Sequence, residues 1–147
     1  MVFGHEIRRL KAEHAELHAL SSLLLASCDA RQPAQDSQIV AIVQQYCILL
    51  ARHLKCEDWI LYPRIEDYMG LSVRRLAEDI LADYGDLSTR LAVYEQRWSG
   101  AELTQDWAHF CCDTIALLHH AAARAAQEEK HLFPAAAADY AGHRNGA

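Results

Sequence analysis

The chain has 147 residues, which at roughly 100–200 residues per domain makes a single domain, residues 1–147, with its core over about 5–134. It is 52% hydrophobic and 23% charged, a globular composition that excludes disordered, collagenous and low-complexity classes. Acidic residues outnumber basic ones by 20 to 14, and no basic run is longer than Arg74-Arg75 or Arg8-Arg9-x-Lys11, so no nucleic-acid partner is expected.

Apolar residues recurring by threes and fours predict four helices of roughly 25–30 residues each. The first carries Ile7, Leu10, His14, Leu17 and Leu24 on one stripe. A break over 29–37 follows, with Pro33 and two candidate N-caps, Asp36 and Ser37. The second stripe is Ile39, Val43, Tyr46, Leu50, His53, Glu57 and Ile60. The next break spans 63–72, with Gly70 expected just past a helix end and Ser72 as the following cap. The third stripe is Leu76, Ile80, Tyr84, Leu87, Leu91, Tyr94 and Trp98. Ser99-Gly100-Ala101-Glu102 reads as a capping box before the fourth, which carries Trp107, Phe110, Thr114, Leu117, Ala121, Arg124 and Glu128. No segment alternates with period two. The pattern predicts an all-α fold, an antiparallel up-down-up-down four-helix bundle with short connections. The Ala135–Ala138 run extends or frays the last helix, and 142–147 is expected to be a disordered tail.

Five cysteines with no CxxC spacing read as reduced thiols. With no secretory segment and no apolar run near 18 residues, a cytoplasmic protein without a membrane partner is expected.

Six polar residues fall on the apolar stripes: His14, His53, Glu57, Tyr84, Arg124 and Glu128. An unpaired buried charge costs several kcal/mol, so these residues must satisfy one another or a bound ion. Hairpin geometry supports one depth, since His14 and His53 flank Pro33 about evenly and Glu57 and Tyr84 flank Gly70, whereas Tyr84 and Arg124 centre on 104, a few residues past Gly100. The chain also repeats internally. Glu13-His14-Ala15-Glu16-Leu17 returns as Asp83-Tyr84-Gly85-Asp86-Leu87. His53-x3-Glu57-x3-Leu61-Tyr62-Pro63 returns 71 positions later (124 − 53) as Arg124-x3-Glu128-x3-Leu132-Phe133-Pro134. Two helical hairpins related by an approximate twofold axis would bring matching groups to a site on that axis.

Glu13-His14-x-x-Leu17, His53-x3-Glu57 with Leu61-Tyr62-Pro63, and Glu128 with Leu132-Phe133-Pro134 resemble the hemerythrin-like (HHE cation-binding) family, over about Ile7 to Pro134. That resemblance implies a bundle holding two iron ions and a role in binding or sensing dioxygen, storing iron, or responding to nitrosative and oxidative stress. It also implies His14 and His53 as ligands of the first iron and Glu57 and Glu128 as bridging carboxylates. The family's remaining two histidines are replaced here by Tyr84 and Arg124, and no histidine lies between His53 and His109.

Arg124 is a fixed cation able to bridge two carboxylates, and so offers a substitute for the second metal. Several readings stay open. One is a mononuclear centre on His14, His53, Glu57 and Glu128 holding iron, with zinc or manganese also suited to these ligands. Tyr84 could then add a phenolate. Another is a metal-free polar network in a protein-interaction module. A third is a full di-iron centre completed by His120 or His18, each one turn from the main layer. Dioxygen or nitric oxide would be the small-molecule partner of a sensor, and an open coordination position would leave an enzyme conceivable. Glu128-x-x-His131 matches a ferritin-like spacing, but without a second copy. His5, His109, His119 and His143 read as surface residues, Trp107, Phe110, Trp98 and Tyr94 as core aromatics, and the cysteines as structural thiols.

Overall fold

The computed structural model describes residues 2–29, 36–98, 100 and 102–145, and among these every regular element is a helix. Helix α1 spans Val2–Asp29 and α2 spans Asp36–Cys56. A π-helical turn, Glu57–Leu61, joins α2 to α3, Tyr62–Tyr68. Helix α4 covers Leu71–Tyr84 and α5 covers Leu87–Arg97. A single turn, α6 (Glu102–Gln105), precedes α7 (Trp107–Gln127). A second π turn, Glu128–Leu132, leads into α8, Phe133–Asn145. The Pro33 connection, Ser99 and Ala101 of the capping box, and 146–147 lie outside the described residues, as do the side chains of Asp36, Ser37 and His143.

Both π turns begin at a glutamate and are followed by a Tyr/Phe-Pro pair. A proline within a helix lacks an N–H and collides with the carbonyl four residues back. Widening the helix by one residue before Pro63 and Pro134 lets the chain pass both prolines without a break. The Tyr62 and Phe133 N–H groups close the wide turns on the carbonyls of Glu57 and Glu128. The expected break at Pro63 is therefore absent, and the helix stops only at Met69 and Gly70. Gly70 sits at the start of α4 in an extended conformation, with φ −68° and ψ 166°, not in the left-handed region beyond a helix end. Ser72 falls inside α4, so it is not the cap.

The extra residue also shifts the phase of the buried face. Leu61 is buried where Ile60 was expected, and Ile60 is 46% exposed. Helix three is likewise split at Gly85-Asp86, so its upstream buried face is Val73, Ala77 and Ile80, and Tyr84 is only half-buried. A Cβ on Gly85 would run into the Leu81 carbonyl. Gly85→Ala is expected to cost about 1–2 kcal/mol, measured by urea unfolding, because that backbone carbonyl cannot yield. An unchanged midpoint would show that the α4–α5 bend does not depend on this glycine. At the far end the alanine run favours helix, and α8 continues to Asn145, four residues into the segment expected to be a disordered tail.

The apolar core lies in two clusters. One holds Leu17, Leu24, Val43, Leu50, Leu91, Phe110 and Leu118; the other holds Ile7, Leu10, Leu61, Ile65, Val73, Leu132 and Phe133. A buried polar layer lies between them. The helix segment from Gln38 to Tyr68 is long and apolar enough to cross a membrane by length and composition. Its stripe of Ile39, Val43, Tyr46 and Leu50 is buried in the protein core.

Candidate metal centre

The polar layer is built from α1, the α2–π segment and the α7–π segment. His14, His53, Glu57, Arg124 and Glu128 are all buried, and Arg124 is 1% exposed. Each glutamate opens a π turn, a distortion that recurs at functional sites in helices. One ligand atom from each of His14, His53, Glu57 and Glu128 lies within 4.8 Å of all the others. His14 Nε2 is 3.2 Å from Glu128 Oε1 and 3.7 Å from Glu57 Oε2, and His53 Nε2 is 3.2 Å from Glu57 Oε2.

This donor set fits a cation. His53 Nε2, both Glu57 oxygens and Glu128 Oε1 are buried and meet only one another, His14 and Arg124 at 3.2–3.7 Å, a converging set of buried polar atoms that an ion between them would satisfy. Two imidazole nitrogens and two carboxylates suit iron, manganese or zinc. The supporting contacts point the same way. His53 Nδ1 lies 2.8 Å from Glu13 Oε1, so the carboxylate holds the proton on Nδ1 and leaves the Nε2 lone pair facing the centre. Tyr62 donates its hydroxyl to Glu128 Oε2 at 2.7 Å, turning Oε1 inward. The His14 ring stacks on Phe133 at a centroid distance of 5.8 Å.

Arg124 closes the opposite side. Its Nε donates to Glu128 Oε2 at 3.2 Å, and Nη2 is 3.3 Å from Glu57 Oε1 and donates to Asp58 Oδ1 at 2.6 Å. Nη1 donates to the Tyr84 carbonyl at 3.3 Å, one of the end-of-helix carbonyls that α4 leaves for other donors. Asp58, which the sequence pattern did not single out, thus meets the guanidinium charge. Glu57 and Glu128 then hold −2 between them, which one divalent ion neutralises and two would over-compensate.

The remaining sequence candidates lie elsewhere. The Tyr84 ring packs edge-on against His120, with centroids 5.1 Å apart, and is not among the residues lining the central cavity. His120 Nε2 is engaged with Asp86 Oδ1 at 3.0 Å. His18 is exposed and stands at the cavity rim. His5, His109, His119 and His131 are exposed. All five cysteines are unpaired. Neither Glu13 nor Asp58 was assigned a role from sequence. The signal for Glu13 was its place beside His14 in the first motif, and for Asp58 its pairing with Glu129 in the internal repeat.

The titration of the metal-free layer follows from this packing. Burial alone would lower the His14 pKa, but hydrogen bonding to Glu128 and Glu57 prevails and raises it to about 9. His53 moves up too, because Glu57 outweighs the cost of burial. Burial and the neighbouring Glu57 charge push Glu128 up to about 7, whereas the two histidines hold Glu57 well below the usual carboxylate range despite its burial. The charges of Glu57 and Glu128 overcome burial to keep Arg124 protonated. A histidine whose folded pKa exceeds its unfolded value stabilises fully below the unfolded pKa, and that contribution is lost as pH rises through the folded value. Metal-free protein is therefore expected to lose about 1–3 kcal/mol between pH 6.5 and 9. Metal displaces the His14 proton, so its affinity rises across the same window. Melting temperatures at pH 6.5, 7.5 and 9, with and without added iron(II), check both; parallel curves would contradict them.

A family model described as the hemerythrin HHE cation binding domain matches residues 5–136. No curated protein and no solved structure matches the chain.

Proposed function

The chain belongs to the hemerythrin HHE cation-binding domain family, and from that premise we propose that it is a mononuclear iron protein that senses dioxygen or nitric oxide. In this reading His14, His53, Glu57 and Glu128 hold one ferrous ion, with zinc or manganese as competing occupants. Its helices form an up-down-up-down four-helix bundle in which α2 with α3, and α7 with α8, are continuous arms. The observation that carries the proposal is the buried Arg124 guanidinium between Glu57 and Glu128, on the side where the family's pattern would call for further nitrogen ligands.

A ferrous ion at these four groups supplies an open coordination position for a diatomic ligand. The protein groups do the rest. Glu13 fixes the His53 tautomer, Tyr62 and Arg124 fix the Glu128 orientation, and Asp58 with the Tyr84 carbonyl anchors Arg124. One ion with one electron to give cannot carry the two-electron chemistry of a di-iron oxygen carrier, so reversible dioxygen binding of the di-iron type is not expected of it. Titration of anaerobically iron(II)-loaded protein with nitric oxide, followed by electron paramagnetic resonance, is expected to saturate at one nitric oxide per chain. Absence of any signal change would remove the sensor reading.

A further inference from the structure

The metal-ligand layer is one wall of a larger space. A cavity of about 320 Å³ extends from His14, His53, Glu57 and Glu128 along α2 and α7 and reaches the surface between α1 and α7. At roughly 30 Å³ per water-sized group it accommodates about ten non-hydrogen atoms, far more than a diatomic gas needs. Beyond the ligand wall its inner lining is mostly apolar, with Leu50, Leu87, Leu118 and Ala121 facing it. Lys11, His18, Ser21 and Glu129 also line it. Tyr46 lies two helical turns before His53 on the same face, about 10 Å away along the axis. It is 2% exposed and lines the cavity. On the open side α7 presents only alanines, including the exposed Ala122, so the cavity has a thin wall and a path to solvent. An apolar pocket of this size with a few convergent polar groups at its ends is the form of a small-molecule site.

We propose that this cavity binds a medium-chain carboxylic acid, or a molecule of that shape, with its chain among Leu50, Leu87 and Leu118 and its carboxylate directed to the metal-ligand wall. The chain half rests on the cavity alone. The carboxylate half rests on the mononuclear metal reading, because His14 and Arg124 are already engaged by Glu57 and Glu128, and only an added cation would offer a ligand carboxylate an unpaired positive charge at that wall.

Calorimetric titration with octanoate and with 1-octanol, on metal-free and on anaerobically iron(II)-loaded protein, separates the two halves. Octanol is expected to bind both forms with similar affinity, and octanoate to bind the iron-loaded form at least about tenfold more tightly than the metal-free form. Failure of octanol to bind either form overturns the cavity assignment and leaves the metal reading intact. Octanol binding with no gain for octanoate on iron loading overturns the carboxylate assignment. A chain that takes up no iron yet binds octanol defeats the metal reading and upholds the cavity. Ala121→Phe, which fills the apolar lining, is expected to weaken octanol at least about tenfold, with Ala122→Trp at the exposed mouth as the second variant should the first not fold. Unchanged octanol affinity in the folded variants would overturn the proposal.

Discussion

Arg124→Ala is expected to destabilise the metal-free protein by about 3–5 kcal/mol, the cost of leaving one side of a buried charge cluster without its partner. Three carboxylates, Glu57, Glu128 and Asp58, lie within 3.3 Å of the guanidinium, and only Asp58 has a path to solvent. Glu128 already resists ionisation in the presence of Arg124, so its loss would drive Glu128 further toward the protonated form. A divalent cation can take over that charge, and added iron(II) or zinc(II) is expected to return part of the lost stability. Urea unfolding with and without metal measures both effects. Arg124→His sharpens the comparison, because imidazole restores a nitrogen ligand where the second metal of the family would sit; its metal content is expected to exceed the parent's. A parent and an Arg124→His variant with equal metal content would show that the guanidinium does not stand in for an ion.

Glu13→Gln should lower metal affinity by about 10–100-fold while leaving the fold unchanged, the usual size of effect for a carboxylate that orients a ligating histidine. Its carboxylate touches the centre only through His53, at 2.8 Å. The glutamine amide can still contact Nδ1, but it no longer enforces the tautomer that turns the Nε2 lone pair inward. His53→Ala, by contrast, removes a ligand outright and is expected to abolish tight binding. Competition with a chromophoric chelator gives the affinities, and circular dichroism melting reports the fold. Equal affinity in Glu13→Gln and the parent would mean that His53 does not bind through Nε2.

Much of this centre was legible in the residue pattern because buried charge is expensive and periodicity shows which positions are inside. His14, His53, Glu57, Arg124 and Glu128 broke otherwise apolar stripes, and the structure buries all five. Tyr84 was misplaced because the stripe rule assumes an unbroken helix. Gly85 interrupts α4, so the ring turns toward His120 and only its carbonyl reaches the layer. The π turns were hidden for a related reason. Glu57 and Glu128 keep helical spacing to the residues before them, and only the prolines six positions on, Pro63 and Pro134, hold the signal that one residue is added. Ile60 and Leu61 exchanged places for that reason alone. Glu13 and Asp58 carry no apolar periodicity, being partly exposed, so their roles emerge only from contacts across helices.

The central claim is that this chain holds one ion where its family's pattern provides for two. Elemental analysis of untagged protein, loaded anaerobically with iron(II) and freed of excess, tests it most directly. The account predicts close to one iron per chain, lost in His53→Ala. Close to two irons, or none, would contradict it.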